Sequence, residues 1–155
     1  MTCLVNQSVR WDRYNNVEIV QSPGHAVIIN EMVHDARIVP LDGRPHLPPH
    51  LRQWKGDSRG RWDGDTLVVE TTNFRGATSF RGSSASLHLV ERFRRVDRDT
   101  LLYEFTVTDP GTWTRPWTAA VLTKKIPGPI FEYACHEGNY AMVNILAGAR
   151  AAEKR

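Results

Sequence analysis

The chain has 155 residues, of which 41% are hydrophobic and 24% charged, and a formal net charge of +3. That length suits one domain, 1–155, with its own core, and that composition excludes a disordered polymer. The basic residues are interleaved with acids, so there is no basic stripe of the kind nucleic acid requires, and no apolar run approaches the roughly 18 residues of a membrane-spanning helix.

The N-terminus "MTCLVNQSVR" lacks the charged start and apolar segment of a signal peptide, which points to the cytoplasm for the chain as written. Strand-type periodicity then dominates. "NVEIVQ" (16–21) reads as a short strand and "SPG" (22–24) as a turn. "HAVIINEMVHDARIVPL" (25–41) is rich in Val and Ile and holds one bent strand or two. "DGRPHLPPH" (42–50) is a loop, since its prolines and glycine cannot continue a ladder.

In "GRWDGDTLVVETTNF" (60–74), Asp63-Gly64 between strand-like flanks signals a hairpin of type I′. "RGATSFRGSSAS" (75–86) is a loop. "LHLVERFRRV" (87–96) and "LLYEFTVTDP" (101–110) flank "DRDT" as a second hairpin. Within it "ERFRRVDRD" (91–99) mixes four Arg with three acids, as a solvated strand edge does. "WTAAVLTKK" (117–125) is a further strand, "IPGP" (126–129) a turn, and "IFEYACH" (130–136) a last strand. From Tyr140 the apolar residues Met142, Val143, Leu146 and Ala149 recur at helical spacing, with Asn139 as N-cap, and predict one helix over about 140–152.

Seven or eight antiparallel strands and one C-terminal helix predict an all-β fold. A lipocalin-like barrel with the helix packed outside is the first choice, because closure removes strand edges. A jelly roll is the second. Helices do not alternate with strands, which argues against a doubly wound fold.

Parity along the strands selects candidate site residues. The odd positions of 87–96 and of 101–109 are the more apolar sets, and Glu91 lies in the first of them. Pairing Phe93 with Phe105 would set Glu91 opposite Val107 on the buried face. A carboxylate there is either paired in the core or functional, as a general acid or base with a raised pKa. Along 26–37 both parities mix polar and apolar residues, so periodicity does not choose a face. "HDAR" (34–37) nevertheless groups His34, Asp35 and Arg37, as a base with its orienter would be grouped. Tyr103, Trp113 and Trp117, with Trp54 and Trp62, are candidate pocket walls, although core packing explains them equally well. "HEGN" (136–139) joins a strand end to a helix start, where amide groups favour anions. His136 and Glu137 are therefore candidates there, against a plain glycine corner.

Other motifs fail. His46 and His50 in "HLPPH" are four apart across two prolines, not on a helix, so they make no zincin pair. There is no His-x-His pair, and no CxxC, P-loop, GxGxxG or Gly-x-Ser-x-Gly. Cys135 and His136 are adjacent on a strand and point to opposite faces, which disfavours a thiol nucleophile. Cys3 and Cys135 form either one disulfide closing a long loop, worth roughly 4–5 kcal/mol in the chain-entropy model, or two independent thiols.

"VHDARIVPLDGRPH", "GDSRGRWDGDTLVVETTNF", "LHLVERF" and "YACHEGNY" together resemble a family of uncharacterised bacterial proteins, often longer than this chain. The resemblance covers about 14–153. It implies a bacterial protein, exported to the periplasm or beyond, and supplies no catalytic residues.

The functional expectation is an enzyme acting on a small organic or carbohydrate substrate, a hydrolase or lyase without an organic cofactor. Glu91 would be the acid or base, His34, His136 and Glu137 would assist proton transfer, and Arg37 would bind an anionic oxygen. Trp54, Trp62, Tyr103, Trp113, Trp117 and Tyr133 would line the substrate. A non-catalytic small-molecule binder and a His/Glu metal enzyme are the alternatives. The expected partner is a small molecule or sugar, with neither nucleic acid nor membrane.

Overall fold

Proline and glycine set the first hairpin. Strands β1 (Val17–Ser22) and β2 (His25–Asn30) flank Pro23-Gly24, with Gly24 at φ 76°. Proline first and a positive φ second is the type II arrangement. The computed structural model describes residues 16–32, 35–76, 80–132, 137–138 and 140–153. Strand β3 (Asp35–Pro40) pairs with β2, giving an antiparallel sheet of order β1-β2-β3. The run 25–41 is therefore two strands. The reversal between them inverts parity: even residues Ala26, Ile28 and Asn30 are buried in β2, and odd residues Arg37 and Val39 in β3.

The second sheet is a meander of five antiparallel strands: β4 (Asp57–Asp63), β5 (Thr66–Thr72), β6 (His88–Asp97), β7 (Thr100–Thr108) and β8 (Trp117–Lys124). Asp63 pairs with Thr66, so Gly64-Asp65 is the turn. Only Gly64 (φ 60°) has positive φ there, which marks a type II′ turn rather than the expected type I′.

The β6–β7 hairpin keeps the predicted inward parity but not the predicted register. Phe93 pairs with Tyr103 and Glu91 with Phe105, two residues from the expected partners, and a one-residue register shift lies between Arg95 and Asp97. An extra residue on one strand of a pair is a β-bulge, which short-range patterning does not reveal.

One hydrophobic core is shared by the two sheets. Ala26, Ile28 and Val39 from the first pack with Leu67, Val69, Leu89, Phe93, Tyr103, Phe105 and Val107 from the second. Gly60 in β4 permits the close approach of β3: a Cβ there would lie 2.6 Å from Leu41 Cδ2 and 2.7 Å from Val39 Cγ1.

Helix α1 (Ala141–Glu153) begins close to where the periodicity placed it. None of its residues is buried, and Met142, Val143 and Ile145 are exposed. It therefore adds nothing to the core. Residues 130–132 belong to no strand, and the rest of the expected last strand, with Tyr133, Cys135, His136 and the cap residue Asn139, lies outside the described residues. His34 and Cys3 lie outside them as well. No helix among the described residues is long and apolar enough to cross a membrane.

Candidate active or binding site

Two facing sheets bring inward residues together from strands distant in sequence. Arg37 points inward from β3 by the odd parity it shares with Val39. Glu91 points inward from β6 between Val69 on β5 and Phe105 on β7. They meet at 2.6 Å, Arg37 Nη1 to Glu91 Oε2, with the side chains only 9% and 2% exposed. Tyr103, diagonal to Glu91 across β6–β7, donates its hydroxyl to Glu91 Oε1 at 2.9 Å. Thus the carboxylate on the apolar face is real, and it is paired.

The charged chain continues to the surface. Lys55, in the segment before β4, places its ammonium against the Asp35 carboxylate; Lys55 is 19% exposed and Asp35 41%. Exposure therefore falls steadily inward from Asp35 through Lys55 and Arg37 to Glu91. Burial drives the Arg37 guanidinium toward a lower pKa, but the neighbouring Glu91 charge outweighs it and leaves the pKa above its ordinary value. For Lys55 burial wins: its pKa lies below that of an ordinary lysine, with Asp35 opposing the shift and Arg37 reinforcing it.

Arg37 with Glu91 and Lys55 with Asp35 are charge-assisted pairs, in which the ion-pair attraction and a side-chain hydrogen bond act together. Two residues along β5 from Val69, Thr71 shares a buried 2.9 Å hydroxyl–hydroxyl hydrogen bond with Ser58.

The aromatic candidates divide. Tyr103, Phe105, Trp117 and Trp113 form a continuous row, with ring centroids 5.4, 5.6 and 5.7 Å apart. Trp54 and Trp62 are on the surface, 58% and 46% exposed, and Arg75 lies over the Trp54 ring at 4.7 Å. Glu137 is exposed in a turn. Glu91, Arg37 and Tyr103 are thus the sequence candidates that the fold brings together. Lys55 and Asp35 complete the group. Sequence reasoning missed Lys55, since it lies in a loop where no parity applies.

A second polar constellation occupies the outer face of the five-stranded sheet. Asp57, 5% exposed, accepts from the Leu47 amide (2.9 Å) and from Arg59 Nη1 (2.6 Å), and pairs with His46 Nδ1 (2.9 Å). Burial raises the Asp57 pKa, but the Leu47, His46 and Arg59 contacts outweigh it and hold the carboxyl below its usual range. Nearby, His88 Nε2 pairs with Glu70 at 2.7 Å. The pairings depend on strand register and on where the 42–50 loop folds, and neither can be read from local sequence. Among the described residues no three His, Cys, Asp or Glu side chains converge as a metal site.

Fold and site together define an antiparallel two-sheet β protein with a charged centre reaching from its surface into its core. Comparison with protein-family models, curated proteins and solved structures finds no match.

Proposed function

We propose that the protein binds a small polar organic molecule, an acid or an acidic sugar, at the Arg37–Lys55–Glu91–Tyr103 group. In this reading the two sheets enclose the ligand in the manner of a lipocalin-like barrel, in a bacterial protein of the exported family that the motifs resemble. The observation that supports it is the closeness of two half-buried or buried cations, Lys55 and Arg37, each paired to one carboxylate on a path that runs from the surface inward. An oxyanion between them would accept from the hydrogens that those pairs leave over, and a ligand hydroxyl would donate to Glu91. The row from Tyr103 to Trp113 offers apolar surface for the rest of the molecule.

Binding is favoured over catalysis by the Arg37 contact. The guanidinium 2.6 Å from Glu91 Oε2 and the Tyr103 hydroxyl on Oε1 occupy both oxygens that a proton transfer would need. A hydrolase or lyase is the second reading, supported by the Tyr103–Glu91 hydrogen bond, which sets a phenol and a carboxylate side by side. There a ligand would draw Arg37 off Glu91 and free it for proton transfer.

Calorimetric titration with benzoate, glucuronate and glucose tests the proposal. The two acids bind and glucose does not, and Lys55→Met weakens acid binding at least tenfold. Equal binding of all three, or none at millimolar concentration, overturns it. Glu91→Gln separates the readings: turnover of a bound acid that survives this change excludes Glu91 as its acid or base.

A further inference from the structure

The outer-face histidines are not part of the charged centre, and His46 has the geometry of a base. A neutral imidazole is an effective base only when one nitrogen carries the proton and the other is free and held in place. Asp57 meets both demands. Its carboxylate only accepts, so the Nδ1 facing it at 2.9 Å carries the hydrogen. That leaves the Nε2 lone pair free.

The orienter is itself fixed. Asp57 is 5% exposed and takes the Leu47 amide and the Arg59 guanidinium as well as His46. Arg59 is anchored in turn by the carbonyls of Pro45 (3.0 Å) and Ser58 (2.7 Å). Loop 42–50 is held to the sheet edge by Asn73, which donates to the Leu47 carbonyl at 2.8 Å. His46 thus sits on a braced loop with its ring 26% exposed and accessible to solvent. A bare clamp between loop and sheet needs only the Leu47 and Arg59 contacts. The imidazole adds a group for which Asp57, on Nδ1, is the hydrogen-bond partner found among the described residues.

We propose that His46, positioned by Asp57, is a general base at a second site on the outer face that hydrolyses small neutral esters. Neutral substrates are favoured because the surrounding charges balance: Arg59 is paired with Asp57, and His88 and Arg61 act on Glu70. In the reaction Nε2 takes a proton from water as the water oxygen bonds to the acyl carbon. The imidazolium then returns that proton to the departing alkoxide as the acyl C–O bond breaks. Ester and water give acid and alcohol, and His46 is regenerated.

The test is hydrolysis of 4-nitrophenyl acetate by the intact protein, followed at 400 nm or thereabouts, with His46→Gln, Asp57→Asn and His50→Gln. A positioned general base contributes about 10²-fold or more. Loss of that order is expected in His46→Gln and Asp57→Asn. His50→Gln, an exposed histidine of the same loop, controls for unspecific imidazole chemistry and keeps the rate. Wild-type turnover no faster than free imidazole, or His46→Gln at the wild-type rate, overturns the proposal. Should Asp57→Asn fail to fold, nitrogen-15 NMR of wild-type imidazoles decides. The neutral His46 ring is expected as the Nδ1–H tautomer; an Nε2–H tautomer overturns the assignment.

Discussion

Removing Arg37 is the sharpest test of the buried centre. Arg37→Met keeps much of the side-chain volume but leaves Glu91, 2% exposed, with the Tyr103 hydroxyl as its remaining polar contact among the described residues. Breaking a buried pair from one side costs about 3–5 kcal/mol, because the orphaned charge loses its compensation. With a urea dependence of about 2 kcal/mol per molar for a domain of this size, the unfolding midpoint falls by about 1.5–2.5 M. The double variant Arg37→Met, Glu91→Leu removes both charges and recovers most of that loss, since a packed apolar pair is often as stable as a buried ion pair. Urea unfolding followed by tryptophan fluorescence measures all three. A midpoint shift below about 0.5 M in Arg37→Met, a loss of under about 1 kcal/mol at that slope, refutes the reasoning. So does a double variant no better than the single one.

Lys55→Met raises stability while weakening acid binding at least tenfold, a trade usual at ligand sites; the sign follows from a folded-state lysine pKa below the unfolded one, which makes the charged form a cost at neutral pH. Thermal unfolding of the free proteins shows it. Gly60→Ala forces a methyl group against Val39 and Leu41 and costs about 1–3 kcal/mol by overpacking, read from the urea midpoint. Burial raises the Asp109 pKa, yet its bonds from Ser84, Thr112 and Gly111 outweigh that and hold it low, as at Asp57. Both carboxylates therefore stabilise the fold fully above the unfolded value of about pH 4 and lose that contribution as pH falls through their lower folded values. Asp109→Asn flattens the acid limb of the stability–pH curve. Leu146→Asp on α1 changes stability by less than about 0.5 kcal/mol, because no residue of that helix is buried.

Much of the fold was legible because half-buried strands separate their residues by parity. The pattern around Glu91, Phe93, Tyr103 and Phe105 identifies the inward face correctly, even though the observed partner of Phe93 is two residues from the expected one, the bulge near Val96 accounting for one step and the turn for the other. Along 26–37 the same reasoning reaches no answer, and the structure shows why: a reversal between Asn30 and Asp35 swaps inward parity, so any single reading of the run mixes two faces. Arg37 was named for its neighbours His34 and Asp35, yet its main partner is Glu91, 54 positions away by the numbering of the pair. His46 was set aside because its spacing to His50 suits no helical metal site. Its true partner, Asp57, lies across a loop whose path rests on Asn73, one of the few cues present being that residue's left-handed φ of 57°. Trp54 and Trp62 show the limit of composition, which says that tryptophans are present but not which of them the core requires.

The central claim is that the buried charges form a receptor for an acidic ligand. Amide chemical-shift mapping with glucuronate tests it most directly, since it reports location as well as binding. The account predicts saturable shifts centred on Arg37, Lys55, Glu91 and Tyr103, absent in Lys55→Met. Shifts confined to the outer strands or to α1, or a Lys55→Met protein that responds like the wild type, would contradict it.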